Sequence, residues 1–253
     1  MSLYCEVEGA GADIVLLHGW GWHGGVWRNL RRELAGRFRV WIPELPGHGG
    51  SRETMVEGNL DAWTQAVRKC VPASATWVGW SLGGLIALAA ARTGYAARLV
   101  LLGATPKFLR AQGWPCGWSL EDFARFREGV ERDPDAALAR FASLHAPAGE
   151  AARPLLRTLR DAMSSCGVPA PRMLQVGLDI LRDADMREEL PSIDAPTLVV
   201  HGEADQIVFA EAAVRMAEAL PQGRHVAVAH AGHALLLSHQ EEVLTMIGEF
   251  AGG

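Results

Sequence analysis

Short, continuously apolar runs alternate with helix-like stretches along most of this chain. "DIVLLHG" (13–19), "FRVWIPELPGHG" (38–49), "ATWVGW" (75–80) and "ARLVLLGA" (97–104) punctuate the first half. "APTLVVHGEAD" (195–205) and "RHVAVAHAGH" (224–233) resume the pattern near the end. Between them lie stretches such as "VWRNLRRELAGR", "LGGLIALAAARTG" and "EAAVRMAEALP". Strands apolar on both sides are buried on both faces, so the pattern predicts an α/β fold: a mostly parallel central sheet flanked by helices. From Thr105 to Leu190 no strand-like run occurs, and helical spacing is interrupted at "PAGEAARP" and "CGVPAPR". We therefore expect a core formed by residues 1–104 and 191–253. Residues 105–190 should be a helical insertion over the strand ends, where open α/β sheets bind ligands.

One strand-to-helix junction carries chemistry. Gly79-Trp80-Ser81-Leu82-Gly83 is a G-x-S-x-G pattern between "TWVGW" and "LGGLIALAAA". Glycines at those positions let strand and helix approach closely around a sharp turn, leaving Ser81 at its tip beside a helix N-terminus that favours negative charge. A serine hydroxyl is a weak nucleophile at neutral pH and needs a base, a carboxylate to orient that base, and N–H donors for the oxyanion. In this context acid and histidine follow the serine in that order. Asp205, just past "TLVVHG", is the expected acid, with Glu203 and Asp194 as rivals; its ordinary alternative is to cap the next helix. His233 in "HAGHALLLSH" is the expected base, ahead of His230 and His239. Leu82 and Trp20, the latter in the loop "LLHGWGWHGG", are the expected oxyanion donors. His18 should brace that loop; no carboxylate or cysteine at ligand spacing accompanies His18 and His23, so no metal is expected.

Charge and cysteine usage exclude several other classes. A net charge of −5 and a pI near 6.0 give no electrostatic reason to expect nucleic acid or an anionic membrane as partner. Cys5, Cys70, Cys116 and Cys166 are scattered without metal-like spacing, which suits a reducing compartment. The start "MSLYCEVEG" lacks a basic segment followed by an apolar one, and no apolar run reaches membrane-spanning length. A cytoplasmic monomer is expected. Nine tryptophans against two tyrosines also stand out, and Trp20 and Trp80 are read as walls of a pocket for an apolar ligand.

With these residues in hand, the chain resembles the α/β-hydrolase superfamily over nearly its full length. Within it, the chain is similar to the methyl ester esterases of biotin synthesis. The segments carrying the likeness are "LLHGWG…VWR", "ELPGHGGSR", "WVGWSLGGL", "ARF" (139–141), "GLDIL" (177–181), "LVVHGEAD" and "AGHA". The resemblance implies an α/β-hydrolase fold with a helical cap, a triad of Ser81, Asp205 and His233, and no cofactor. It also implies that Trp20 and Leu82 line the oxyanion site and that Phe141, Ala142, Ser143, Leu144 and His145 face an acyl chain. The implied substrate is a pimeloyl methyl ester borne on acyl-carrier protein, with small esters as further substrates. Arg140, Arg153 and Arg157 sit where the family's cap contacts its acidic carrier. From Arg140 to Arg172 there are five arginines and two acids, and Arg153, Arg157 and Arg160 share a helical face; such a run is also what a solvated helix face looks like. The chain departs from the family at Ala136, where an arginine can stand, and at Glu44, where many relatives carry aspartate. A general short-chain carboxylesterase or another hydrolase of the same fold, and a non-catalytic hydrolase-fold receptor, are the other readings open on these residues.

Overall fold

The apolar runs become the interior of one sheet. The computed structural model describes residues 2–146, 152–164 and 167–253. Its strands are β1 (Cys5–Gly9), β2 (Ala12–Leu17), β3 (Phe38–Pro43), β4 (Thr76–Trp80), β5 (Arg98–Leu102), β6 (Thr197–Gly202) and β7 (Gly223–Val228). Hydrogen bonding orders them β1-β3-β2-β4-β5-β6-β7. β1 runs antiparallel to β3, and every other pairing is parallel. Every residue of β4 and β6 is buried, which explains why their sequences are apolar without alternation. Successive residues still divide between the faces. Ile14 and Leu16 join one apolar cluster with Val78 and Trp80, whereas Val15 and Leu17 join a second with Trp20 and Trp77.

Helices cover both faces. They are α1 (Arg28–Leu34), α2 (Leu60–Arg68), α3 (Leu82–Arg92), α4 (Leu120–Arg132), α5 (Pro134–Leu144), α6 (Ala152–Ser164), α7 (Pro171–Asp183), α8 (Ala210–Ala219), α9 (Leu235–Ser238) and α10 (Gln240–Gly252). α1 and α10 supply Leu30, Leu34, Val243 and Ile247 to one cluster; α2, α3 and α8 supply Trp63, Leu85 and Met216 to the other. α3 is buried from Leu82 to Ala91, so it is apolar all round rather than amphipathic. Four of these helices, α4 to α7, lie between β5 and β6. Local chemistry sets their starts: Ser119 caps α4, and Asp133 followed by Pro134 starts α5.

Two features depart from expectation. β1 is a strand where none was expected. The segment before α4 contains isolated bridges, Leu109 with Trp118 and Ala111 with Trp114. Cys166 and most of the break at "PAGEAARP" lie outside the described residues. Strand order reverses about β2: the chain passes from β2 to β3 on one side, then crosses to β4 on the other. The crevice at such a switch point opens at the carboxyl ends of the strands. The segments that carry Ser81, Asp205 and His233 leave the sheet at the carboxyl ends of β4, β6 and β7.

Candidate active site

Ser81 occupies the turn between β4 and α3 with φ +56° and ψ −119°, a conformation that a non-glycine residue holds at a cost of about 1–3 kcal/mol. Its surroundings leave no room for relaxation. A Cβ at position 79 would fall 2.4 Å from the Gly83 oxygen, and one at 83 would fall 2.5 Å from the Leu17 oxygen. Strand and helix therefore touch backbone to backbone, as the flanking glycines predict. Gly84 has a packing role, since a Cβ there would lie 2.4 Å from that of Ala104. The Ser81 N–H donates to the Leu102 carbonyl at 3.0 Å, tying the turn to the end of β5.

The expected acid and base, Asp205 and His233, meet beside that strand end. His233 Nδ1 lies 2.7 Å from Asp205 Oδ2, and both side chains are inaccessible to solvent. The other carboxylate oxygen accepts the N–H groups of Ile207 and Val208 at 2.8 and 2.9 Å. Asp205 thus orders its own turn; it does not cap α8, which begins at Ala210 after Phe209. Burial pushes the Asp205 pKa up, but the facing His233 and His201, with the Val208 N–H, outweigh it and hold the carboxyl below its ordinary value. An ionised Asp205 fixes the His233 proton on Nδ1. Nε2 is left buried without a hydrogen-bond partner, and Ser81 makes no hydrogen bond to it. The imidazole packs against Gly103, the residue after the acceptor of the Ser81 N–H; a Cβ at 103 would lie 3.1 Å from His233 Nδ1. The rivals stand apart: Glu203, Asp194 and His230 are exposed, and half-buried His239 pairs with Ser238.

The loop after β2 closes the other side. A Cβ at Gly19 would come 3.2 Å from that of Ser81, so the Trp20 backbone runs directly past the serine. Among the described residues, neither the Trp20 nor the Leu82 N–H has a backbone or side-chain acceptor. Buried groups brace this loop. His18 Nδ1–H donates to the Gly19 oxygen and its Nε2 accepts from Leu45. His48 accepts from Gly21 and donates to Pro46. Both Glu44 oxygens accept the Gly24 N–H. Sequence reading found only His18 of this set. No three His, Cys, Asp or Glu side chains among the described residues converge as metal ligands.

Ser81 borders a narrow enclosed slot with room for about one water molecule, lined by Trp20, Phe108, Trp118, Phe123, Phe126 and Phe141 with Leu178, Leu181 and Ile207. Four of those aromatic residues, at 108, 118, 123 and 126, were missed; their only sequence signal is the density of aromatic side chains between β5 and α5. Trp20 belongs to this wall, and its indole N–H is held by the Leu174 oxygen at 2.9 Å. Trp80 does not. It is buried in the opposite cluster, and its indole N–H donates to the His233 carbonyl at 2.9 Å. The expectation for 141–145 also needs correction: Phe141 alone of the five lines the slot. Five consecutive helical residues cover more than one turn and cannot share a face. Ala142 packs in the other cluster, Ser143 is exposed, Leu144 is half-buried, and His145 packs against His233. Arg140, Arg153 and Arg157 are all exposed; the latter two border one surface depression with Leu156 and Arg160.

Comparison with known proteins bears on this geometry. The family described as alpha/beta hydrolase fold matches residues 14–240. A pimeloyl-[acyl-carrier protein] methyl ester esterase of Stenotrophomonas maltophilia is 38% identical over 253 residues, covering 99% of this chain and 97% of its own. One of the same name from Nitrosomonas europaea is 38% identical over 248 residues, covering 96% and 97%. Among solved structures, an esterase from Exiguobacterium antarcticum superposes with a TM-score of 0.89 at 25% identity, covering 99% of this chain and 96% of that one.

Proposed function

The chain belongs to the α/β-hydrolase fold family, and from that premise we propose that it is a serine carboxylesterase that hydrolyses the methyl ester of a pimeloyl chain carried on acyl-carrier protein. The observation that carries the chemistry is the buried Asp205–His233 pair, 2.7 Å apart, beside a strained serine at a strand–helix turn. The substrate rests on the names of relatives aligned along nearly the whole chain.

In this reading Ser81 Oγ attacks the ester carbonyl while His233 Nε2 takes its proton. Asp205 holds the tautomer and stabilises the imidazolium. The Trp20 and Leu82 N–H groups receive the oxyanion. Methanol leaves with the proton from His233, and a water, deprotonated by the same imidazole, hydrolyses the acyl-enzyme. The apolar slot suits a neutral ester end, and among the described residues its lining holds no cation to attract the carboxylate that hydrolysis produces. Residues 105–190 act as a cap, and Arg140, Arg153 and Arg157 on it dock the acidic carrier. Ser81, Asp205 and His233 come from one chain, which supports a monomer. Free Cys5, Cys70 and Cys116 support a cytoplasmic setting; among the described residues no helix is long and apolar enough to cross a membrane.

Ser81→Ala should abolish turnover of both pimeloyl-carrier methyl ester and small p-nitrophenyl esters, and retained turnover would refute the assignment. Wild-type enzyme should prefer the carrier-bound ester to free methyl esters; equal kcat/KM would favour a general short-chain esterase. Reversing Arg153 and Arg157 to glutamate should raise KM for the carrier substrate and spare small esters. Equal losses on both substrates would rule out the docking patch.

A further inference from the structure

The peptide unit joining His233 to Ala234 is gripped at both of its polar atoms. Its carbonyl accepts the Trp80 indole N–H at 2.9 Å, and its N–H donates to the His145 carbonyl at 3.2 Å. His145 ends α5, the helix whose Phe141 lines the slot. Its ring is as firmly committed as its backbone. Nδ1 lies 2.8 Å from the Phe141 oxygen and therefore carries the proton, while Nε2 accepts the Trp22 indole N–H at 3.1 Å. An indole only donates, so both partners together require neutral imidazole with one tautomer. The buried ring then sits edge-on to His233, centroids 5.1 Å apart, and 5.5 Å from Trp80.

We propose that His145 is a positioning residue for the reaction, tying α5 to the peptide of His233 so that the base is held against Asp205 only while that helix is docked. The claim concerns a residue that never reaches substrate. Its carbonyl fixes the peptide of the base, and its ring fixes the carbonyl by locking the last turn of α5 to Trp22. A substrate seated against Phe141 presses on the same helix, so slot occupancy and base placement are mechanically joined. The kinetic arm of the proposal rests on the esterase reading; its spectroscopic arm does not.

The test compares His145→Leu, which removes both ring bonds, with His145→Gln, whose amide keeps a neutral acceptor for Trp22. Three quantities are read: kcat and KM for a small p-nitrophenyl ester, and the downfield proton resonance of the His233 N–H bonded to Asp205. In His145→Leu, kcat should fall roughly ten- to hundredfold, the loss expected when a reacting group is slightly misplaced. KM should change far less than kcat, and the resonance should broaden or vanish. His145→Gln should restore both. A His145→Leu protein that melts earlier yet keeps wild-type kcat and resonance would overturn the proposal and leave His145 a core residue. Should that variant not fold, Trp22→Phe removes the indole donor while keeping an aromatic ring at the position, and should lower kcat and perturb the resonance in the same direction; no change in either overturns the proposal. If wild-type protein turns over no ester, the esterase reading fails, and the resonance alone decides the role of His145.

Discussion

Mild acid should weaken this protein before its carboxylates titrate. Burial, reinforced by His18 beside one ring and His233 beside the other, holds the pKa of His48 and of His145 down to about 3. In the unfolded chain each returns to about 6.5. Below that value the unfolded state binds protons that the folded state refuses, so stability is complete above about pH 6.5 and drains away as pH falls toward 3. At about pH 5 the solution is some 1.5 pH units below the unfolded value of each histidine, a loss of about 2 kcal/mol apiece and about 4 kcal/mol together. That is a large part of the 5–15 kcal/mol typical of a folded domain. Burial also lowers His23, His201 and His225, which adds to the loss. Asp205 and Glu44 are held below their ordinary values, so their stabilisation is lost only as pH falls under about 4. Urea unfolding followed by tryptophan fluorescence at about pH 7.5 and pH 5 measures the effect. A variant carrying His48→Gln and His145→Gln should lose about 4 kcal/mol less than wild type over that interval. Equal losses in the two proteins would refute the reasoning.

Asp205→Asn should leave the fold intact and cut kcat by up to about 10⁴-fold, because an amide does not enforce the Nδ1–H tautomer of His233; a fall of less than about tenfold on a p-nitrophenyl ester would show that the carboxylate is structural only. Gly103→Ala places a methyl 3.1 Å from His233 Nδ1 at a residue with φ +52°. It should lower both melting temperature and kcat, and an enzyme with wild-type kcat would show that this close contact does not set the position of the base.

The legible part of the fold was the part that each segment specifies for itself. β4 and β6 announce themselves because burial on both faces demands unbroken apolar sequence. β1 does not, since its five residues are exposed or half-buried. It is a strand because β3 offers it a register, Cys5 opposite Pro43 through Gly9 opposite Arg39, and nothing local encodes that partnership. The Phe141–His145 expectation failed for a related reason: a contiguous stretch was assigned one direction, whereas a helix turns successive side chains by about 100°. Trp20 and Trp80 show the same limit. Both are buried tryptophans next to the turns of the candidate site, yet one faces the slot and the other backs His233, according to which side of the sheet its residue faces.

The candidate site was legible at Ser81 and less so with distance from it. G-x-S-x-G is a local device, needing only adjacent glycines to permit a strained turn. Histidines are different, because the sequence shows the ring and hides its partners. His18, His48 and His145 are each as buried as His233. What separates them is the state of their nitrogens. His18 serves Gly19 and Leu45, His48 serves Pro46 and Gly21, and His145 serves Phe141 and Trp22. A ring with both nitrogens engaged is a brace, since taking a proton means breaking a buried bond. His233 has one nitrogen on Asp205 and the other open. His201 also has an open nitrogen, Nδ1, and lies 3.3 Å from the same carboxylate. Its other nitrogen, however, donates to the Val208 carbonyl, so it belongs to the turn that carries the acid. His233 is therefore the base in the proposed reaction on two conditions together: a nitrogen free to take a proton, and a place beside the strand end to which Ser81 is tied. Only folding brings those conditions onto one residue.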